Sequence, residues 1–270
     1  MSVVDKSEKF NWFVRVGYFS RAMLYGVLGL IVLTSAGKIS QGTDGIFRAI
    51  EDFPAGTVIL WIMVLGLIAY ALFRFCSPLF DIENSGSDAK GWGKRIGHAG
   101  SAIGHLALAY SAFQYANSSG GSGGGSGGAE EAAAGVLSVE LGGVVLGILG
   151  IAFGLASFNQ FKKAFTGSFM NRISASAPDF TRMLGGAGFA ARGVVYAIIG
   201  WSLIQAGFFS GGAEQVKTLG SAVASLAGEG IWFTLVGVGL LMFGLFSLVL
   251  ARYRIIPELD SDGRVPAFRA

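Results

Sequence analysis

Along this chain apolar stretches of about twenty residues alternate with short polar connections, and each stretch is long enough to cross a ~30 Å hydrocarbon core as a helix. Six such helices are expected, running from Val16 to Ala36, Gly56 to Phe75, Gly97 to Ala116, Gly135 to Phe158, Leu184 to Phe209 and Gly230 to Ala251. The pattern predicts an all-α fold, a polytopic membrane bundle of six transmembrane helices. Phe10, Trp12 and Phe13 precede the first stretch and suit the aromatic belt at a membrane interface. The N-terminus has no short apolar core followed by a small-residue cleavage site, so it reads as a retained tail rather than a signal peptide.

The connections differ in charge. Lys6, Lys9, Arg15 and Arg21 lie on one side, with Arg74, Lys90, Lys94 and Arg95 in the second connection. Lys162, Lys163, Arg172, Arg182 and Arg192 surround the fourth, and Arg252, Arg254, Arg264 and Arg269 the tail. The opposite side holds only Lys38, Arg48 and Lys217. An excess of Lys and Arg marks the cytoplasmic side, so both termini are expected there.

The chain also repeats itself. When Gly17 is set on Gly188, then Arg21, Tyr25 and Gly29 fall on Arg192, Tyr196 and Gly200. The stretch RIGHAGSAIGHLALAY joins the alignment with Arg95 on Arg15 and Gly97 on Gly17. His98 then replaces Tyr18, Ser101 replaces Arg21 and His105 replaces Tyr25. The returning helices match as well: GLIAYALF from Gly66 resembles GLLMFGLF from Gly239, and AFGLASF from Ala152 follows the same pattern. The chain thus reads as a helical hairpin in three copies, over residues 1–85, 86–175 and 176–270 of one membrane domain. Each copy leaves the cytoplasm and returns to it. The three hairpins are therefore parallel, with a pseudo-threefold axis along the membrane normal rather than the inverted repeats of many transporters.

These features resemble a known family. The Gly–aromatic–x–x–Arg–x–x–x–Tyr helix start, the basic returns and the three hairpins look like the bacterial membrane proteins of domain-of-unknown-function family 1206. The resemblance runs from about Arg15 to Ala251 and is carried best by the first and third copies, since the middle one lacks both the arginine and the tyrosine. It implies this architecture and a bacterial inner-membrane location, and it brings no catalytic or binding role with it.

Composition narrows the classes further. Only 14% of residues are charged and 43 of 270 are glycine, against about 25% and roughly 7% in soluble domains. The net charge of +3 is spread over the connections without a basic stripe, so no nucleic-acid partner is expected. Cys76 is the single cysteine, which rules out an intrachain disulfide and any cysteine-built metal framework. The third connection holds SSGGSGGGSGGAEEAAAG, flexible in character; its SGGAEE is echoed by SGGAEQ at Ser210–Gln215, as in two copies of one outer loop. Membrane helices associate through close approach at small residues. Gly143, Gly147, Gly150 and Gly154, with Gly193, Gly200, Gly237, Gly239 and Gly244, are the candidate contact positions.

The out-of-place polar residues carry the candidate chemistry. Arg21 and Tyr25 are four apart and share a helix face, as do Arg192 and Tyr196. Arg21 lies about 9 Å deeper than Arg15 at 1.5 Å per residue. From there it could snorkel to the headgroups, or tie hairpins together through the free carbonyls of neighbouring helix ends with tyrosine assisting. As a functional alternative these four residues contact an anion or a lipid headgroup, which suits the guanidinium fork. His98, Ser101 and His105 share one face of the third helix and are candidates for polar or proton-handling roles. Glu140, near the outer start of the fourth helix, caps that helix or sits at the membrane interface, or, if it lies deeper, serves a cation or proton pathway. The two histidines lie on one helix, which argues against a haem between them, and with Cys76 they are too few for a closed zinc site. No metal and no cofactor is expected.

No nucleotide loop, HExxH helix or GxSxG elbow is present, so an enzyme is not expected. The leading expectation is a structural, lipid-interacting or partner-binding bundle among membrane lipids, with a second copy of itself or another membrane protein as the candidate partner. The alternative is a small channel or transporter with a pathway between the hairpins. Reporter fusions at Asp88 and Ser119 should report opposite sides of the membrane; the same side for both would end the six-span reading.

Overall fold

The computed structural model describes residues 6–34, 54–80, 88–117, 127–209 and 211–255, together with Phe47, Ile50 and Glu51. Its helices are α1 (Lys6–Thr34), α2 (Gly56–Phe80), α3 (Ala89–Asn117), α4 (Gly127–Leu137), α5 (Gly142–Thr166), α6 (Thr181–Phe208), α7 (Leu219–Ala224) and α8 (Ile231–Tyr253). Five helical segments are long and apolar enough to cross a membrane: Val14–Thr34, Gly56–Cys76, Gly142–Thr166, Thr181–Phe208 and Ile231–Tyr253. This is a membrane protein. The expected sixth, α3, is a 29-residue helix. It falls outside that set because His98 and His105, with Gly97, Gly100, Ser101 and Gly104, dilute its hydropathy and Lys90, Lys94 and Arg95 open it.

The fourth helix departs from its expected span of Gly135–Phe158. Two elements replace it, α4 and α5, separated by a turn at residues 138–141. The Ser138 hydroxyl donates to the Gly135 carbonyl at 2.7 Å, competing with the helical ladder. Helix α5 begins only after Leu141, and Gly142 permits the tight turn because a Cβ there would strike the Val136 carbonyl. At the other end Gly167, at φ 67°, caps α5 in the left-handed conformation and donates its N–H to Lys163. The tract at 118–126 lies outside the described residues. The echoed outer motifs take different forms, since Gly127–Glu131 opens α4 whereas Ala213–Gln215 forms a single 3₁₀ turn.

The helices pack in the spatial order α3, α2, α1, α8, α6, α5. The most extensive contacts join each returning helix to the leading helix of the next copy: α2 with α3, α5 with α6, and α8 back to α1. Within copies, α1 lies against α2 and α6 against α8, but α3 and α5 form no comparable contact. The expected hairpin of the middle copy is therefore not a packed pair. Equivalent glycines show why. A Cβ on Gly17 would lie 2.9 Å from the Tyr70 Cα, and one on Gly188 2.7 Å from the Phe243 Cα. Gly97, the matching position of α3, has open space around its Cβ direction.

Helices α5 and α6 approach backbone to backbone. A Cβ on Gly143 would meet the Gly207 carbonyl at 2.7 Å, and one on Gly150 the Gly200 carbonyl at 2.7 Å. Gly154 presents no such contact along its own Cβ direction. Helices α1 and α8 are tied by Arg15, whose guanidinium donates to the Ala251 carbonyl at 2.7 Å and the Arg252 carbonyl at 2.6 Å. The free carbonyls at a helix C-terminus are thereby satisfied.

Overpacking a closed helix crossing costs about 1–3 kcal/mol or more. Gly17→Leu and Gly188→Leu should each lower the melting temperature in detergent, while Gly97→Leu should leave it nearly unchanged. Equal losses at all three positions would contradict the absence of a close α3–α5 crossing among the described residues.

Candidate functional site

The repeated helix face points inward. Tyr25 of α1 packs its ring edge-on against Phe243 of α8, with centroids 4.9 Å apart. Tyr196 of α6 meets Phe153 of α5 in the same way at 5.6 Å. His105 of α3 meets Tyr70 of α2 at 4.6 Å. In the repeat alignment these are one contact made three times: the leading helix supplies Tyr, His or Tyr, and the preceding return helix supplies Phe, Tyr or Phe.

One turn toward the helix N-terminus from the two tyrosines lie the arginines, and both are buried, at 5% exposure for Arg21 and 8% for Arg192. Arg21 donates from Nε to the Ser247 hydroxyl at 3.1 Å and from Nη1 to the Tyr70 hydroxyl at 2.9 Å. Its guanidinium carbon also lies over the rings of Tyr18 (4.7 Å), Phe243 (4.9 Å) and Tyr70 (5.3 Å). Cation–π contacts of this kind contribute about 0.5–2 kcal/mol each, most when desolvated. Arg192 donates to the Tyr196 hydroxyl through Nη2 and lies over Phe243 (4.5 Å), Tyr196 (4.9 Å) and Tyr25 (5.2 Å).

The snorkelling and carbonyl-tying expectations for Arg21 and Arg192 are corrected here. Both side chains are enclosed by aromatic rings, and their partners are hydroxyls. The carbonyls go to Arg15, which lies at the helix ends. Neither arginine forms an ion pair with a carboxylate among the described residues. Each keeps a buried nitrogen without a hydrogen-bond partner there, Nη2 of Arg21 and Nε of Arg192. Both guanidiniums rest against the one Phe243 ring, so they repel each other. At a separation of about 9 Å, the greatest those contacts allow, the repulsion is roughly 2 kcal/mol at an effective dielectric of about 20.

The other candidates divide. His105 is buried, its Nδ1 lies 2.7 Å from the Ser101 carbonyl, and its Nε2 lacks a partner among the described residues. A carbonyl accepts only, so Nδ1 carries the proton and Nε2 of the neutral ring offers a lone pair. Ser101 and His98 are half-buried. Ser101 contributes its backbone to His105 and supplies nothing like the arginine it replaces. Glu140 is corrected as a helix cap: it is exposed in the turn before α5, whose first residue has Leu141 as its cap with no side-chain hydrogen bond. Among the described residues no group of three or more His, Cys, Asp or Glu is placed to hold a metal ion.

Sequence reasoning missed Tyr70, Phe243 and Ser247. Tyr70 accepts from Arg21 and also from Arg74 Nε at 3.0 Å, so one phenol oxygen serves two guanidiniums. Its signal was the alignment of the return helices, in which Tyr70 matches Phe243 and Phe153 and is the position that gained a hydroxyl. Ser247 has a counterpart in Ser157, which donates to the Gly193 carbonyl at 2.7 Å.

The threefold pattern in these contacts is also a pattern of descent. The sequence profile of one family matches residues 16–80, 96–167 and 187–254, three successive copies. The chain belongs to the DUF1206 family, a domain of unknown function. It is similar to the uncharacterized protein YxxB of Bacillus subtilis (strain 168), with 26% identity over 263 residues that cover 92% of this chain and 94% of that protein. No solved structure matches. In this DUF1206 chain the three copies share their aromatic contacts and differ in charge, with arginine in two and serine in the third.

Tyr70→Phe should remove the acceptor shared by Arg21 and Arg74. Leaving such donors unsatisfied costs about 1–3 kcal/mol, to be read from unfolding in mixed micelles. Tyr110→Phe, at a ring 63% exposed, should cost nothing measurable.

Proposed function

We propose that this DUF1206 chain is a six-span bacterial inner-membrane protein, with both termini in the cytoplasm, that acts as a small anion channel or transporter. One observation carries the reading: two guanidiniums buried in an apolar bundle, with no described carboxylate beside them. A buried charge without a partner is costly, so an intramembrane arginine of this kind marks a substrate or ion pathway by default. The route is supported by a run of arginines in contact with shared aromatic rings. Arg254, at the end of α8, stacks on Tyr18 at 5.2 Å; Tyr18 carries Arg21 on its ring; Phe243 carries both Arg21 and Arg192. Such a run draws an anion inward from the basic, cytoplasmic end.

The sixth span is α3. Its 29 residues give a length of about 43 Å at 1.5 Å per residue, and it lies along α2 as α1 lies along α8. The close approaches of Gly17, Gly143, Gly150 and Gly188 supply the packing that lipid-embedded helices need.

A second reading keeps the bundle structural, meeting lipid or a partner protein, with Arg21 as a clamp. It is favoured by the bonds of Arg21 to α2 and α8 at once. The two readings part in proteoliposomes made from purified protein. Efflux of chloride, nitrate, phosphate or sulfate should exceed that of protein-free vesicles and fall about tenfold or more in Arg192→Gln. Folded protein that passes none of these anions would leave the structural reading in place.

A further inference from the structure

The centre of the bundle has a donor inventory that defines a ligand. Arg21 spends two of its three nitrogens, on Ser247 and Tyr70, and has Nη2 left over. Arg192 spends Nη2 on Tyr196 and has Nε left over. Both side chains are more than nine-tenths buried, and both lie against the Phe243 ring. The repeat explains the surplus. Tyr70, the return-helix aromatic of the first copy, accepts from Arg21; its counterpart in the third copy is Phe243, which offers Arg192 a ring face and no oxygen. Ser247 accepts from Arg21, whereas its counterpart Ser157 is turned to the Gly193 carbonyl. Arg192 is thus the less satisfied cation at two matched positions. In the middle copy Ser101 stands where a third arginine would, and α3 does not close on α5.

We propose that Arg21 Nη2 and Arg192 Nε together bind one oxyanion of the phosphate or sulfate type. Two donors on separate guanidiniums call for a ligand with at least two acceptor oxygens, which a halide lacks. Charge-assisted bonds from arginine to such oxygens are the strong ones, and a dianion balances the two cations. His105, whose ring shares Tyr70 with Arg21, borders the site and adds a lone pair at Nε2 for a protonated ligand oxygen. A free dianion meets all of these demands; the monoanionic phosphodiester of a lipid headgroup offers the two acceptor oxygens alone.

This inference rests on the anion-handling reading above but does not need transport. The full-length protein is purified in detergent, stripped of lipid, and its melting temperature followed against sodium phosphate, sodium sulfate and sodium chloride at equal ionic strength. Phosphate or sulfate should raise the melting temperature by several degrees and saturate, while chloride should not. The shift should vanish in Arg192→Gln and Arg21→Gln and persist in Arg182→Gln, an exposed arginine outside the site. Because Arg192 is under-satisfied, ligand-free Arg192→Gln should melt no lower than the wild type, so a lost shift there is not a folding failure. Phospholipid phosphorus retained through purification by the wild type and absent from Arg192→Gln would identify a lipid as the source; a saturable shift with free phosphate or sulfate alone would identify a solute. Equal stabilisation by chloride, an unchanged shift in Arg192→Gln, or neither phosphorus nor a shift would overturn the site. Anion flux without oxyanion preference would sink this inference and leave the transport reading. Saturable oxyanion binding without flux would do the reverse.

Discussion

A guanidinium ion cannot be left bare in an apolar interior, and this bundle encloses two. Desolvating each costs several kcal/mol even after relaxation. What offsets it is local and specific. Arg21 has two hydroxyl acceptors and three ring faces, drawn from α1, α2 and α8. Those three helices must therefore converge at one level, which is where Gly17 brings α1 against the Tyr70 backbone. Arg192 repeats the demand with α6 and α8, and Gly188 brings α6 against Phe243. Small residues permit the approach that places the aromatic faces, and the faces tolerate the charge. Removing either half leaves the other without a purpose.

The threefold repeat is obeyed in packing and broken in chemistry. Each leading helix lays an aromatic or imidazole ring on an aromatic of the preceding return helix, and the pairing closes cyclically because α8 meets α1. The middle copy departs on three counts at once. It has serine for arginine, histidine for tyrosine, and a glycine at position 97 whose Cβ direction meets no described residue. These belong together physically. With no guanidinium on α3 there is no cation to draw the aromatic of α5 across, and the crossing that Gly17 and Gly188 close stays apart at Gly97.

Much of this was legible in the apolar pattern, and the parts that were not have identifiable causes. Five helices long enough to cross a membrane follow from run length, and the three copies follow from Arg21, Tyr25 and Gly29 returning as Arg192, Tyr196 and Gly200. Hydropathy carries no information about which neighbour a helix selects, so the cyclic offset that pairs α8 with α1 was invisible, and so was the unpaired middle hairpin. The arginine roles were exchanged through depth. The sequence sets Arg15 at the boundary and Arg21 within reach of the helix ends, yet it is Arg15 that meets the carbonyls of Ala251 and Arg252. Tyr70 hid in an apolar run as an ordinary large side chain; only its comparison with Phe243 and Phe153 singles out the hydroxyl. Glu140 was read into a continuous helix because a run of Ala, Gly, Val and Leu conceals a turn made by the single Ser138 hydroxyl.

The asymmetry between the two arginines argues that the site is more than a clamp. A clamp gains from having every donor used, since an idle buried N–H forfeits its hydration without return. The first copy comes close to that condition, with tyrosine and serine placed for Arg21. The third copy has phenylalanine at the tyrosine position, and its matching serine is turned to a backbone carbonyl, leaving Arg192 with the Tyr196 hydroxyl of its own helix. Replacing a buried ion by a well-packed apolar residue is often neutral or stabilising, so nothing in folding alone requires a cation at 192. A charge kept where the surroundings satisfy it least is readily available to something from outside the fold, and two such charges on one phenyl ring specify the sign of what that would be.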